Sequence, residues 1–327
     1  MNFPSLSFII PCYRSEKTIE AVVKEITETV AQRPEYDYEI ILVDDCSPDN
    51  VYNVICKIAD EDSHIRGISF ARNFGQHSAI LAGMRASVGE ICVFMDDDGQ
   101  TPADEFWLLV DAMDKNTDVV YASYKQHHKK HSLFRNFGSA VNEKMLEFVL
   151  KKPRNLEVTS FFAAKRFVID EACRYDNPFP YATGLMLRST KHIKNVPVHH
   201  RARINGKSGY SLKKLLALWV NGFTAFSVIP LRAASLLGFV FSGVGFLYVL
   251  YLIIRKLVDS SVPIGYSSLM AALFVIGGIL MMLLGMLGEY IGRIYVSINK
   301  NPQYVIRNTT ANGVSVQTAH DKDDRLK

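Results

Sequence analysis

Two stretches of this chain, 233–254 and 262–288, contain no Asp, Glu, Lys or Arg. Each reaches the roughly 18–20 apolar residues that an α-helix needs to cross a hydrocarbon core. The sequence therefore predicts two membrane-spanning helices, 229–257 and 263–291. Burying both in a globular domain would require enough chain to enclose them, and only about 40 residues follow the second run. The opening MNFPSLSFIIPCY has no basic segment, and Pro11 breaks its apolar run, so it reads as a strand and not as a cleaved leader. The expectation is a multi-pass protein of the inner (cytoplasmic) membrane with its first 200 or so residues in the cytoplasm. Lys213, Lys214 and Arg232 before the first span, and Arg293 and Arg307 after the second, favour cytoplasmic termini beside anionic lipid; Arg255 and Lys256 count against that orientation.

The net charge of +4 is too small to indicate a nucleic-acid partner. The five cysteines, Cys12, Cys46, Cys56, Cys92 and Cys173, form no CxxC or Cys/His ligand spacing, which argues against a disulfide framework and a zinc site.

Ahead of the spans, apolar runs alternate with amphipathic helical patterns. LSFII precedes a helix over 17–30, YEIILVDD a helix near 51–59, IRGISF a helix near 77–87, and EICVFMDDDG a helix at 106–113 followed by DVVYASY. This order predicts a mostly parallel, Rossmann-like α/β sheet covered on both faces, over residues 1–210. A further helix is expected over 135–150. In such sheets ligands gather beyond the carboxyl ends of the strands, where Pro11, Tyr13, Asp44, Asp45 and Asp96, Asp97 and Asp98 all fall. Residues 211–228 read as an amphipathic helix, either lying in the membrane interface or packed on the first domain. Residues 292–327 read as a cytoplasmic tail, polar and disordered beyond Asn308.

The sharpest local feature is MDDDGQ at 95–100. On an extended segment alternate residues face the same way, so Asp96 and Asp98 can point together while Asp97 points elsewhere. A divalent cation held by such hard oxygens would neutralise the charge that develops on a departing nucleoside diphosphate. The second acidic pair, Asp44 and Asp45, ends a neighbouring strand. Two such clusters at one edge repel each other unless a cation or hydrogen-bond donors intervene.

The segments IIPCYRSEKTI, ILVDDCSPDN, ARNFGQHSAILAGM, FMDDDGQTP, HHRARINGKSGYS and LGEYIGRIY resemble the successive motifs of family 2 glycosyltransferases with the GT-A fold. More narrowly, they resemble the bacterial polyprenyl-phosphate glycosyltransferases related to dolichol-phosphate mannose synthase, which carry two C-terminal membrane helices. The resemblance implies an enzyme that moves a sugar from a nucleoside-diphosphate sugar, UDP-linked before GDP-mannose, to undecaprenyl phosphate for cell-envelope glycans, with Mg2+ or Mn2+ as cofactor. It implies nucleotide-sugar contacts from Pro11, Tyr13, Asp44 or Asp45, Arg72, Asn73, His77, Asp96 and Asp97. It gives Asp98 and Gln100 to the metal, and Arg203, Lys207 and Ser208, in an R-x-x-G-x-S segment, to phosphate. Gly206 and Gly209 agree with that last assignment, because they permit close backbone approach to an anion.

The sequence also departs from the family. Tyr13 is followed by Arg14 and Ser15 where relatives carry Asn-Glu. In place of a G-D-F-R type segment, with an acid as general base, stands T-S-F-F with Ser160 opposite that acid. Serine cannot act as that carboxylate, and Glu157 is the nearest substitute. A lipid phosphate is already ionised near pH 7, so a strong base is chemically unnecessary. The catalytic set expected from the sequence is thus Asp96, Asp98, Glu157, Arg203 and Lys207. The rival readings are a processive polysaccharide synthase, whose Q-x-x-R-W motif is absent, and a non-catalytic membrane scaffold on a degenerate transferase fold. Gly277, Gly278, Gly285 and Gly288 along the second span leave room for helix association and hence a homo-oligomer.

Overall fold

The computed structural model describes residues 5–124, 152–199 apart from 154 and 179, 265–299 and 301–310, with isolated positions between 236 and 254. Four apolar segments make the centre of the sheet: β1 (Leu6–Cys12), β2 (Tyr38–Asp44), β3 (Ile65–Phe70) and β4 (Ile91–Phe94). They are buried at nearly every position, as strands covered on both faces must be. The crossovers α1 (Ile19–Val30), α2 (Val51–Glu61) and α3 (Gln76–Ala86) make these strands parallel, with β1 paired to β2 on one side and β4 on the other. In α1 the buried residues include Ile19, Val22, Val23, Ile26 and Val30, the helical spacing read from the sequence.

After β4 come a 3-10 turn (Ala103–Glu105), α4 (Phe106–Asp111), β5 (Val119–Ser123), β6 (Phe162–Lys165), α5 (Arg166–Cys173), α6 (Ala182–Ser189) and β7 (Ile193–Pro197). β6 lies antiparallel between β4 and β5, while β7 runs parallel to β5. With β8 (Ile306–Thr309) at one edge, the eight-stranded order is β7-β5-β6-β4-β1-β2-β3-β8. On one face α1, α2 and α4 close the core, with Phe8 edge-on to Phe106 at 4.8 Å and the Trp107 indole donating to Thr29 O at 3.1 Å. On the other face α3, α5 and α6 cover Phe94, Phe162 and Tyr121, with the first two rings stacked at 4.2 Å.

Contacts divide the chain into one compact unit of 1–211 with 300–327 and a second of 212–299. The second unit contains α7 (Tyr266–Ile298), 33 residues long. Its exposed side chains include Leu273, Ile276, Leu280, Leu284, Leu287 and Ile291, whose three- and four-residue spacing makes one apolar stripe along the helix, with Met281 and Met282 beside it. The positions described in the first apolar run are helical and exposed as well, among them Leu236, Val240, Val244 and Leu247. Among the described residues no helix is long and apolar enough to cross a membrane. The 233–254 run is described only in part, and so are the side chains of α7. The helices predicted over 135–150 and 211–228 lie outside the described residues.

The tail expected from 292 begins with regular structure. α7 continues to Ile298, and the chain then supplies β8 (Ile306–Thr309), antiparallel to β3. The reason is that β3 would otherwise be an edge with unpaired backbone groups. Tyr304 and Ile306, two residues apart, pack against the buried cluster around Phe70. The alternation is too short to stand out in a polar stretch.

α3 lies close on β1 because Gly83 has no side chain. A Cβ at that position would collide with Ile9 Cγ2. Gly83→Ala should therefore destabilise the first unit by about 1–3 kcal/mol, as overpacking does, read as a lower denaturation midpoint of the solubilised protein. An unchanged midpoint would mean that Ile9 can move aside.

Candidate active site

Parallel pairing places the carboxyl ends of β1 to β4 along one rim, and β5 ends beside them. Two residues in the left-handed backbone region stand just past these ends, Arg14 (φ 61°) after β1 and Cys46 (φ 51°) after β2. The Arg14 N–H donates to Ser47 Oγ at 2.8 Å, which ties the two turns together. Pro11 is buried within β1 opposite Val43, whereas Tyr13 stands exposed at the rim with the Arg14 guanidinium 5.5 Å from its ring centre.

Asp44 and Asp45 are both buried. Asp44 accepts the Ser47 N–H at 2.8 Å and the Ser69 hydroxyl at 2.7 Å. Asp45 accepts the N–H groups of Phe74 and Gly75 at 2.7 and 2.8 Å, one on each carboxylate oxygen. Burial raises the Asp45 pKa, against the lowering effect of those two N–H groups. Asn73 adds a bond from its side-chain amide to Asp45 O at 3.1 Å. Mutual repulsion within this pair is thus relieved by the chain's own donors. Arg72, exposed, places its guanidinium 4.6 Å from the Phe74 ring centre.

The three acids after β4 point in different directions. Asp97 faces the β1–α1 turn, accepting the Tyr13 N–H at 2.8 Å on its carboxylate and the Thr18 hydroxyl at 2.6 Å on its carbonyl. Burial pushes its pKa up to about 6. Asp96 accepts Gln76 Nε2 at 3.0 Å on one oxygen and the Ser160 hydroxyl on the other. Asp98 accepts the Gln100 N–H at 3.0 Å across Gly99, whose φ of 71° makes the tight turn. His77, at the start of α3, packs edge-on to Tyr181 at 4.8 Å. Burial lowers its pKa to about 4 and leaves it neutral; its Nδ1 has no hydrogen-bond partner among the described residues.

Tyr124, just past β5, reports the charge of the site. Burial first, then the carboxylates of Asp96, Glu157, Asp98 and Glu105, push its phenol far above the usual range. Glu157 accepts the Ser123 hydroxyl at 2.5 Å, and Asn195 clamps its backbone on both sides, at 2.8 and 2.7 Å. Glu105 holds His199 through the backbone N–H at 2.8 Å and the ring Nδ1 at 2.5 Å. The structure thus gathers Tyr13, Asp44, Asp45, Arg72, Asn73, His77, Asp96, Asp97, Asp98, Gln100 and Glu157 around one edge. Arg203, Lys207 and Ser208 lie outside the described residues.

Four participants escaped the sequence reading: Gln76, Ser160 as a ligand of Asp96, Tyr124 and the Glu105–His199 pair. Tyr124 could have been found, since it follows a strand end; the others depend on contacts between distant segments. Among the described residues no three His, Cys, Asp or Glu side chains are placed to hold a metal ion. Asp98 and Gln100 offer hard oxygens and fit a cation that takes its remaining ligands from water and substrate phosphates.

The profile of glycosyl transferase family 2 matches residues 7–172, and that of the GtrB C-terminal hairpin matches 229–294. An uncharacterized glycosyltransferase, YkcC, of Bacillus subtilis is 32% identical over 303 residues, covering 92% of this chain and 93% of its own. The undecaprenyl-phosphate 4-deoxy-4-formamido-L-arabinose transferase of Yersinia enterocolitica is 32% identical over 305 residues, 92% of each chain. Its counterpart in Proteus mirabilis is 32% identical over 329 residues, 98% of this chain and 97% of its own. Among solved structures, mannosyltransferase PcManGT from Pyrobaculum calidifontis, in complex with GDP-Man and Mn2+, aligns with TM-score 0.47 and 14% identity over 90% of this chain and 86% of that one.

Asp45 is the acid whose loss is best defined, because each of its oxygens receives one backbone N–H. An Asn there can accept on one side only and turns an N–H against the other donor. Asp45→Asn should cost about 1–3 kcal/mol of stability, seen as a lower unfolding midpoint. A midpoint equal to that of the parent protein would show that the 72–75 loop does not depend on this carboxylate.

Proposed function

Since the chain belongs to glycosyl transferase family 2 and carries the GtrB C-terminal hairpin, we propose that it transfers a monosaccharide from a nucleoside-diphosphate sugar to undecaprenyl phosphate. The observation that carries this reading is the full-length similarity to undecaprenyl-phosphate sugar transferases, together with a carboxylate-rich rim at the ends of the parallel strands. The acceptor phosphate oxygen attacks the anomeric carbon. The bond from that carbon to the nucleoside diphosphate breaks with inversion, through an oxocarbenium-like transition state. The diphosphate leaves with the bonding electron pair, and the product is a lipid-phosphate monosaccharide.

Asp98 and Gln100 would hold Mg2+ or Mn2+, which supplies charge neutralisation for the departing diphosphate. Asp96, fixed between Gln76 and Ser160, faces the donor sugar. Tyr13, Arg72, Asn73 and His77 line the nucleotide side, and UDP is the nucleotide we favour. No general base is required, since the phosphate nucleophile is already ionised. Glu157, tied to Ser123 and Asn195, then contributes charge and shape beside Tyr124 and does not abstract a proton. Arg203, Lys207 and Ser208 would bind phosphate, as their charge and their place in the sequence just ahead of the hairpin suggest.

For the membrane part we propose two helices, 229–257 and 263–291, crossing the inner membrane, with the first domain in the cytoplasm and 211–228 lying in the interface. The apolar residues exposed in a stripe along α7, Leu273, Ile276, Leu280, Leu284, Leu287 and Ile291 among them, support this, because an exposed apolar face of that length calls for apolar surroundings. So does β8, which begins a few residues after α7 and pairs with β3. The two apolar runs must therefore bring the chain back to the side it left. A homo-oligomer through the glycine-bearing face of 277–288 belongs to the same proposal.

Purified protein supplied with Mg2+ or Mn2+, undecaprenyl phosphate and a panel of nucleotide sugars should form one lipid-linked product. Asp98→Ala should lower the rate by at least about 10²-fold while the protein stays folded, in line with removal of a group that stabilises transition-state charge. Full activity in EDTA would exclude the cation, and equal transfer to soluble alcohols would exclude the lipid acceptor. The topology is tested by cysteines labelled from outside intact cells: position 263 should react and the exposed position 307 should not. The reverse pattern would overturn the orientation.

A further inference from the structure

The segment that follows the membrane hairpin makes a set of contacts that covering a sheet edge alone would not require. Gln303 is buried, and its side-chain amide donates to Tyr175 O and Asn177 O, both at 2.7 Å. The Tyr304 ring stacks on Phe70 at 5.2 Å with 8° between the planes, and the Arg85 guanidinium lies 5.7 Å from its ring centre and 3.4 Å from its hydroxyl. Val305 O accepts the Ala71 N–H at 2.8 Å. At the far end Thr310 and Gly67 exchange two bonds, Thr310 N–H to Gly67 O and Gly67 N–H to Thr310 Oγ1, both at 3.0 Å.

Of these contacts, those of Tyr304 and Val305 reach the loop at the end of β3. Phe70 also meets Phe74 edge-on at 5.8 Å, and Phe74 lies beneath the Arg72 guanidinium. A continuous column thus runs from Tyr304 through Phe70 and Phe74 to the exposed Arg72. The backbone of the same loop is gripped from the other side by Asp45, through Phe74 N–H and Gly75 N–H. On the strap side the loop's first residue, Ala71, is held by Val305. The register shift between Ser69 and Phe70 in the β3–β8 pairing falls where strand gives way to loop.

We propose that Gln303–Thr310 is a positioning element of the donor site: it sets the Arg72–Gly75 loop from outside the sheet, with Tyr304 as the principal positioning residue. The donor half of this statement rests on the reading given under Proposed function. The hold on the loop does not. Because the strap follows the hairpin in sequence, the chain completes this side of the rim only after the hairpin has been made.

The test is Tyr304→Ala against Tyr304→Phe, in the full-length protein in detergent or nanodiscs. The Phe variant keeps the ring stack and loses only the hydroxyl. For Tyr304→Ala, hydrogen exchange of the peptide covering 70–76 should quicken and the donor KM should rise by about three- to tenfold with kcat within about twofold, the range expected for losing one stacked ring. Tyr304→Phe should restore both. Should Tyr304→Ala fail to fold, Tyr304→Leu, which keeps apolar volume and loses the ring stack on Phe70, should show the same changes in smaller measure. Unchanged exchange over 70–76 in a folded Tyr304→Ala protein would overturn the proposal. So would equal losses in kcat and in KM across all three variants, since that pattern marks general destabilisation. Quicker exchange with an unchanged donor KM would keep the strap's hold on the loop and remove that loop from the donor site, a failure of the functional reading instead.

Discussion

The site stands on carboxylates that are bound by backbone N–H groups before any ligand arrives. Asp45 ties the end of β2 to the loop after β3, and Asp97 ties the end of β4 to the turn after β1. Each bond crosses between segments far apart in sequence, and each buries a charge that only N–H or O–H donors make tolerable. The cost is visible in Asp97, whose carboxyl burial pushes up to about 6. Asp96 and Asp98 have partners of their own, Gln76 and Ser160 for the first and the Gln100 N–H for the second.

Much of the first unit could be read from the sequence because its strands and helices bury apolar side chains in regular periods. α1 shows the clean helical spacing, and β1 and β2 are unbroken apolar runs, so their order and parallel pairing follow from short connections. What could not be read is where polar side chains find partners. Asp44 and Asp45 look like ligand-binding acids in a linear sequence, yet both are occupied by Ser47, Ser69, Phe74 and Gly75. Ser160 reads as the loss of a carboxylate, yet it holds Asp96. β8 was hidden for a different reason: its strand is four residues long and derives its stability from the edge it covers, not from any local preference.

The two units differ in what they expose. In the first, apolar side chains point inward from both faces of a sheet. In α7 exposed apolar residues recur at three- and four-residue spacing from Leu269 to Ile298, so that an apolar stripe faces outward. A stripe of that kind calls for apolar surroundings, which is the ground of the membrane reading proposed for this hairpin. After α7 the chain finishes the sheet of the first unit with β8.

The chemistry then turns on charge. Asp96, Asp98, Glu157 and Glu105 all act on the one phenol of Tyr124, so the rim is strongly negative before a donor with a charged diphosphate approaches. An anionic acceptor would add to that repulsion. Two remedies are available to such a site: a divalent cation between the carboxylates and the diphosphate, and cations from the chain itself on the acceptor side. Asp98 and Gln100 suit the first, and Arg203 and Lys207 suit the second by their charge and by their place in the sequence just ahead of the hairpin. A nucleophile that carries its own charge needs no general base, which leaves Ser160 to hold Asp96 through its hydroxyl.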